Sequence, residues 1–209
     1  KVINKKSAIM TPSVSPKPVT ALEKKLAVQF STIELLKTAV THRSYAKAIN
    51  SPDVSDNERL EFFGDAVLKL IVSEYLFHQY PQLDEGELTK IRSIMISDHT
   101  LYEIASQINL GDYMRFSYGE EKSGGAKKES NLANAMEALI GAHYLDSGYQ
   151  TIKSFIIERI EALEKDWLME ETRGDYKSQL QEKLQTMNEA LPHYQVKVEE
   201  GPEHNKQFT

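Results

Sequence analysis

Apolar residues recur every three to four positions along most of the chain between Ala21 and Trp167, which is the spacing of amphipathic helices. Alternating patterns typical of strands are absent from this stretch. The pattern predicts an all-α domain over residues 20–171. The predicted helices cover residues 20–29, 32–47, 56–79, 86–108, 128–146 and 149–170.

The segments outside these helices have a different character. Residues 1–19 carry four lysines, three prolines and no acid, and predict a flexible arm. Residues 109–130 predict a long polar loop that contains Lys122, Lys127 and Lys128.

A second pattern begins after Gly174. A short amphipathic helix precedes a strand in which Tyr194, Val196 and Val198 alternate with polar residues, and another strand starts near the end of the chain. One α-β-β fragment cannot bury a core by itself. Residues 175–209 are therefore predicted to be part of a truncated α+β domain.

Composition narrows the class of protein. An apolar fraction of 40% fits a globular protein, and no uncharged apolar run approaches the roughly 20 residues of a membrane span. We expect no membrane association and a cytoplasmic location, or the interior of an organelle. The chain has no cysteine, and its six histidines lack zinc-site spacing. Any metal would therefore be held by oxygen ligands, which suit Mg²⁺ or Mn²⁺.

The net charge of −6 and the pI near 5.6 argue against a nucleic-acid partner, because phosphate binding relies on clustered Lys and Arg. This objection weakens if the acids are concentrated in one site.

Acidic residues do occur within two apolar helices. In residues 56–79, Glu58, Glu61 and Asp65 fall within an arc of roughly 60° on one helix face. In residues 128–146, Asn134 and Glu137 are also three positions apart on one face. Most of the neighbouring positions on both helices are apolar.

An unpaired carboxylate in such surroundings is costly, and several of them repel one another. Two interpretations remain open. The acids can be neutralised by Arg59, Arg92 or Lys69 or lie on a wet edge, or they can converge on a divalent metal as in other helical carboxylate sites. Such a metal site would serve phosphoryl or phosphodiester transfer.

Several blocks of the sequence resemble the ribonuclease III family. The string "NERLEFFGDAVL" is similar to the family signature, with Phe63 in place of the more usual Leu. Other matching blocks are "LLKTAVTHRSYA", "PQLDEGELTKIRS", "GEEKSGG" and "NLANAMEALIGAHYLDSG". Residues 175–209 resemble the first half of its double-stranded-RNA-binding domain.

The resemblance implies an all-α, homodimeric nuclease domain that cleaves double-stranded RNA with Mg²⁺, for which Mn²⁺ is a possible substitute. The products would have 5′-phosphates and 3′-hydroxyls with short 3′ overhangs, and the role would be RNA processing, ribosomal RNA included. No organic cofactor is expected.

The resemblance also assigns roles to individual residues. Glu61, Asp65 and Glu137 match metal-binding acids, of which Asp65 and Glu137 are the expected catalytic pair. Glu58 and Glu85 match two further acids that assist at the metal site or the subunit interface.

Asn134 departs from the family pattern, which usually has Asp at this position. An amide offers a neutral carbonyl oxygen in place of a charged one, so Mg²⁺ binding and hydrolysis should be weaker. Two alternatives to a fully active nuclease follow: an impaired or inactivated protein that still binds double-stranded RNA, and a structural component of an RNA particle that uses the dimer for assembly.

Two residues of the second domain match RNA contacts of the family, Gln181 and His204. The family's lysine-rich helix would lie beyond Thr209. His42, in "THRSY", is expected to pack or to cap a helix rather than to act as a base.

Overall fold

The computed structural model describes residues 16–174, 199–200 and 207–208, with side chains for residues 16–163. In this part of the chain the structure is predominantly helical. Its α-helices are α1 (Val19–Leu26), α2 (Ile33–Ala39), α3 (Arg43–Ile49), α4 (Glu58–Gln79), α5 (Glu85–Met95), α6 (Asp98–Gln107), α7 (Tyr118–Lys122), α8 (Glu129–Ser147) and α9 (Tyr149–Gly174).

The chain divides between Glu161 and Ala162 into two units. In the second unit, the strands β1 (Glu199–Glu200) and β2 (Gln207–Phe208) pair antiparallel, with Glu199 opposite Phe208. The other residues of the predicted RNA-binding fragment, including Gln181 and His204, lie outside the described residues. The helical domain of the fold prediction is therefore confirmed, and the α+β domain stays a prediction.

Two predicted helices are each two helices in the structure. Residues 32–47 break at 40–42, where the backbone of Thr41 bridges Arg115, and the side chain of His42 accepts the backbone N–H of Ser44 to cap α3. The prediction of one helix over 86–108 was wrong for the same reason, because the Ser97 hydroxyl accepts the N–H of Thr100 and starts α6. The capping role expected for His42 is confirmed.

The segment 109–130 is more ordered than a polar loop. It contains α7 and two short 3₁₀ turns, Leu110–Asp112 and Gly125–Lys127. The Glu120 carboxylate holds this segment together, since it accepts from Lys128 Nζ at 2.7 Å and from Asn131 Nδ2 at 3.0 Å.

Helix α8 lies at the centre of the first unit and packs against α4, α6 and α2. Ten of its side chains or glycines are buried, and most are Ala, Leu, Ile or Gly. Its C-terminal end is tied to the start of α2, because the Asp146 carboxylate accepts the backbone N–H groups of Ser31 and Thr32 at 3.0 and 2.7 Å. The acids of α8 are thus fixed in a buried scaffold.

None of the described helices is both long enough and apolar enough to cross a membrane.

Candidate active site

Helices α4 and α8 cross at two glycines, and this crossing determines where the acids lie. A side chain on Gly64 would overlap the main-chain carbonyl oxygen of Glu137. A Cβ on Gly141 would come within 2.5 Å of the carbonyl oxygen of Leu60. The two backbones therefore touch, and the acids that flank Gly64 in α4 lie beside Glu137 in α8.

The carboxyl group of Glu137 shows the strongest electrostatic effect of this crossing. Burial and the nearby charges of Asp65, Glu61 and Asp98 raise its pKa from 4.5 to about 7, and Lys69 opposes this shift. The pKa of Glu61 is also raised, by burial and then by Glu58, Asp56 and Asp98. The carboxylates of Glu61, Asp65 and Asp98 are thus close enough to Glu137 to influence its pKa.

Lys69 and Arg43 neutralise part of the negative charge of these acids. Lys69 Nζ lies 2.7 Å from Asp65 Oδ2, and Arg43 NH1 lies 3.3 Å from Glu58 Oε1. Arg92 instead donates to the Ser73 hydroxyl at 3.0 Å. Among residues 16–163, no arginine or lysine forms an ion pair with Glu61 or Glu137.

The predicted site residues fall into two groups. Glu61, Asp65 and Glu137 are half-buried and interact electrostatically, and Asn134 is half-buried one turn before Glu137 in α8. Glu58 and Glu85 are exposed. Glu85 is the first residue of α5, where its carboxylate accepts the Thr89 hydroxyl at 3.3 Å.

The donor set suits a hard divalent cation, although it is not a closed metal cage. Within the described residues, no three His, Asp or Glu side chains already have ligand geometry. The set does supply carboxylate and amide oxygens, which Mg²⁺ prefers, and Mg²⁺ commonly keeps several waters and a substrate phosphate as its other ligands. A divalent cation would also offset the burial and the repulsion by neighbouring carboxylates that together raise the pKa of Glu137.

Sequence reasoning missed Asp98. The predicted helix 86–108 would place this residue in mid-helix, whereas Ser97 caps a new helix that begins at Asp98. The dipeptide Ser97-Asp98 is itself a helix-start signal, so the sequence held the necessary information.

A cleft of about 720 Å³ opens beside the acids. Glu61 and Asn134 line one part of it, and His42, Arg43 and Lys47 line another. The cleft has room for more than one ion.

Comparison with known proteins agrees with the resemblance seen in the sequence. Residues 32–163 match the model of the family described as ribonuclease-III-like. The chain belongs to the ribonuclease III family. The expectation of a ribonuclease III-type endoribonuclease is thereby confirmed.

Individual relatives of this family cover most of the chain. Ribonuclease 3 of Clostridium beijerinckii is 45% identical over 187 residues, which are 90% of this chain and 80% of the relative. Ribonuclease 3 of Carboxydothermus hydrogenoformans is 45% identical over 189 residues, with the same coverage.

The fold of this chain is also found in solved structures of the family. The nuclease domain of ribonuclease III from Campylobacter jejuni, in a structure that concerns flexibility in a region involved in dimer formation, has a TM-score of 0.65 at 41% identity. The match covers 69% of this chain and 97% of that domain. A second structure of the same domain, at 2.2 Å resolution, has a TM-score of 0.64 at 41% identity and covers 70% of this chain and 95% of that one.

Proposed function

We propose that this chain hydrolyses double-stranded RNA with the help of Mg²⁺ at the crossing of α4 and α8, and that Mn²⁺ can replace Mg²⁺. The cleaved strands would carry 5′-phosphates and 3′-hydroxyls with short 3′ overhangs, as befits an enzyme of RNA processing. Family membership supports the reaction, and the geometry of the acids supports its location.

The observation that carries the proposal is the raised pKa of Glu137. Burial and the charges of Asp65 and Glu61 raise it, and no cation of the described residues is paired with this carboxyl group. Carboxyl groups with pKa values raised by burial and by neighbouring charges are concentrated at functional sites, and a divalent ion would neutralise the repulsion here. A bound divalent ion lowers the pKa of attacking water and neutralises charge on the phosphate and the leaving oxygen.

The predicted site residues have different roles in the proposed reaction. Asp65 and Glu137 are the main metal ligands, and Glu61 and Asn134 complete or orient the set. Without metal, the protonated and the ionised forms of the Glu137 carboxyl are both well populated near neutral pH, since its pKa is about 7. Glu58 and Glu85 assist from exposed positions, and Gln181 and His204 contact the RNA.

Asn134 weakens metal binding and lowers the activity of this enzyme, but does not abolish that activity. The carbonyl oxygen of Asn134 can still bind a divalent cation, although it lacks the negative charge of Asp. Relatives called Ribonuclease 3, at 45% identity over 90% of the chain, favour an active nuclease over an impaired RNA-binding protein.

We further propose that the enzyme is a homodimer, in which each subunit cuts one strand of the duplex. The side chain of Phe62 is 83% exposed. It borders a groove of about 820 Å³ that is also lined by Leu35, Phe63 and Leu145. Because an exposed aromatic beside an apolar groove is typical of a self-complementary interface, a second copy is its best partner.

Cleavage of a perfect RNA duplex tests the proposal. The chain should cut it with Mg²⁺ and with Mn²⁺, Glu137→Ala should abolish cutting, and the exposed control Glu161→Ala should cut normally. Asn134→Asp should bind Mg²⁺ more tightly and cut faster, by roughly tenfold, since it adds a carboxylate ligand. Equal activity of Glu137→Ala and Glu161→Ala would contradict the assignment of the site.

A further inference from the structure

The cleft beside the acids extends well past the groups that would hold a metal. Glu61 and Asn134 lie on its α4 and α8 walls, whereas Arg43, Ser44 and Lys47 belong to its α3 wall. Its volume of about 720 Å³ lies within the range of sites that hold small organic ligands. A hydrated ion does not need that much space.

In the described part of the chain, lysine and arginine side chains at and beside the cleft pair with carboxylates, except for Lys47. Arg43 lies 3.3 Å from the Glu58 carboxylate, and Lys128 lies 2.7 Å from that of Glu120. Among the described side chains, Lys47 has no carboxylate within 4 Å, although it lines the same cleft. The ammonium of Lys47 is therefore the cation that remains available to an anionic ligand.

We propose that this cleft holds the nucleotide next to the cleaved bond, and that Lys47 binds its phosphate. The proposal rests on the proposed function, because it takes the scissile phosphate to lie at the end of the cleft marked by Glu61 and Asn134. A strand that continues from that point along the cleft brings its next phosphate to the α3 wall, where a lysine acts as a compact point charge.

The mixed charge of the cleft fits an RNA strand better than it fits a free anion. Glu58, Glu61 and Glu120 also line the cleft, and their charges would repel a small free anion that has no other contact with the protein. A strand anchored elsewhere along its length can place one phosphate beside Lys47 at little further cost, since its position is already fixed.

The test combines substitutions of Lys47 with duplexes that carry one neutral methylphosphonate, placed in turn at each position around the cleaved bond. Lys47→Ala is compared with the unaltered chain and with Lys24→Ala, an exposed lysine of α1 outside the cleft. Dissociation constants are measured in EDTA, and kcat/KM is measured in Mg²⁺.

We expect one position at which the methylphosphonate weakens binding by about fivefold or more for the unaltered chain and Lys24→Ala, but not for Lys47→Ala. Lys47→Ala should also lower by about one the slope of log affinity against log salt, because one phosphate contact is lost. Its Mg²⁺ requirement should not change.

The same response to every methylphosphonate in all three proteins would overturn the assignment of Lys47. That result leaves the proposed function intact if the unaltered chain still cuts the duplex. A chain that fails to cut with either metal contradicts the proposed function instead, and the binding series in EDTA still decides the role of Lys47.

Discussion

Gly64 of α4 packs directly against the main-chain carbonyl of Glu137 in α8. The contact joins two backbones, so no change of side-chain rotamer can make room for a larger residue. The two halves of the acidic site are held together at this point.

Gly64→Ala should therefore lower the free energy of unfolding by at least about 3 kcal/mol, because its methyl group would overlap main-chain atoms that are fixed on both sides. Thermal unfolding followed by circular dichroism measures the effect. Gly119→Ala is the matched control, since a Cβ at that helical position meets no atom within 4 Å. Equal stability of the two variants would show that the helices do not cross as described.

Glu137→Gln should stabilise the metal-free protein at alkaline pH. Since the pKa of Glu137 is about 7 in the fold and near 4.5 when unfolded, the folded state binds more protons between these values, and its stability falls as pH rises through this window. At pH 8 the neutral amide should gain about 1–2 kcal/mol, because water screens part of the repulsion.

Urea unfolding in EDTA at pH 4.5 and at pH 8 measures this difference, with the exposed Glu161→Gln as control. The advantage of Glu137→Gln should appear at pH 8 and be small at pH 4.5. Added Mg²⁺ should stabilise the unaltered chain more than Glu137→Gln. An advantage that does not depend on pH would mean that the charge of Glu137 is not under strain.

His143 should make the protein sensitive to acid. Its side chain is 1% exposed, its Nε2 atom has no hydrogen-bond partner, and its ring lies between those of Phe30 and Phe155. Burial lowers its pKa below 6.5, and Asp146 opposes this in part. The unfolded state therefore binds a proton first as the pH falls below 6.5, and stability decreases by up to about 1.4 kcal/mol per pH unit.

His143→Leu should remove this part of the pH dependence, because Leu cannot take up a proton. His78→Leu, at an exposed position, should keep it. The free energy of unfolding between pH 5 and pH 7.5 distinguishes the two, and parallel curves for both variants would contradict the prediction.

Phe62→Asp should convert the proposed dimer into a monomer, since a carboxylate would replace the aromatic ring beside the apolar groove. Sedimentation at micromolar concentration measures the mass. Phe77→Asp changes another exposed aromatic of α4, 15 residues further along the helix and outside the lining of the groove. A dimer that persists in Phe62→Asp and dissociates in Phe77→Asp would place the interface elsewhere.

The sequence predicted the long helices of the fold because their apolar spacing is strong. It failed where a helix restarts after two or three residues. At His42 and Ser97 the apolar period runs on across the break, and the chain is redirected by one side-chain cap in each case. Helix periodicity carries no signal for such a cap.

The structure brings three of the predicted site residues, Glu61, Asp65 and Glu137, close enough to interact electrostatically, and their role as metal ligands stays a prediction. The spacing of Glu61 and Asp65 placed them on one face, and Lys69, one of the three cations considered as partners of the acids, does pair with Asp65 at 2.7 Å. The approach of Glu137 depends on Gly64 and Gly141, which act through space rather than along the sequence. Asp98 could be connected to the acids only after the break at Ser97 was known.

The central position of α8 has a consequence for how the enzyme meets its substrate. Because its residues are covered by α4, α6 and α2, we expect the amide hydrogens around Glu137 to be among the slowest of this unit to exchange with solvent. The side chains that we propose as metal ligands would consequently be held in place before a substrate arrives. Under the proposed function, the scissile bond would therefore have to be brought to a preformed site, since α8 is fixed by its neighbours.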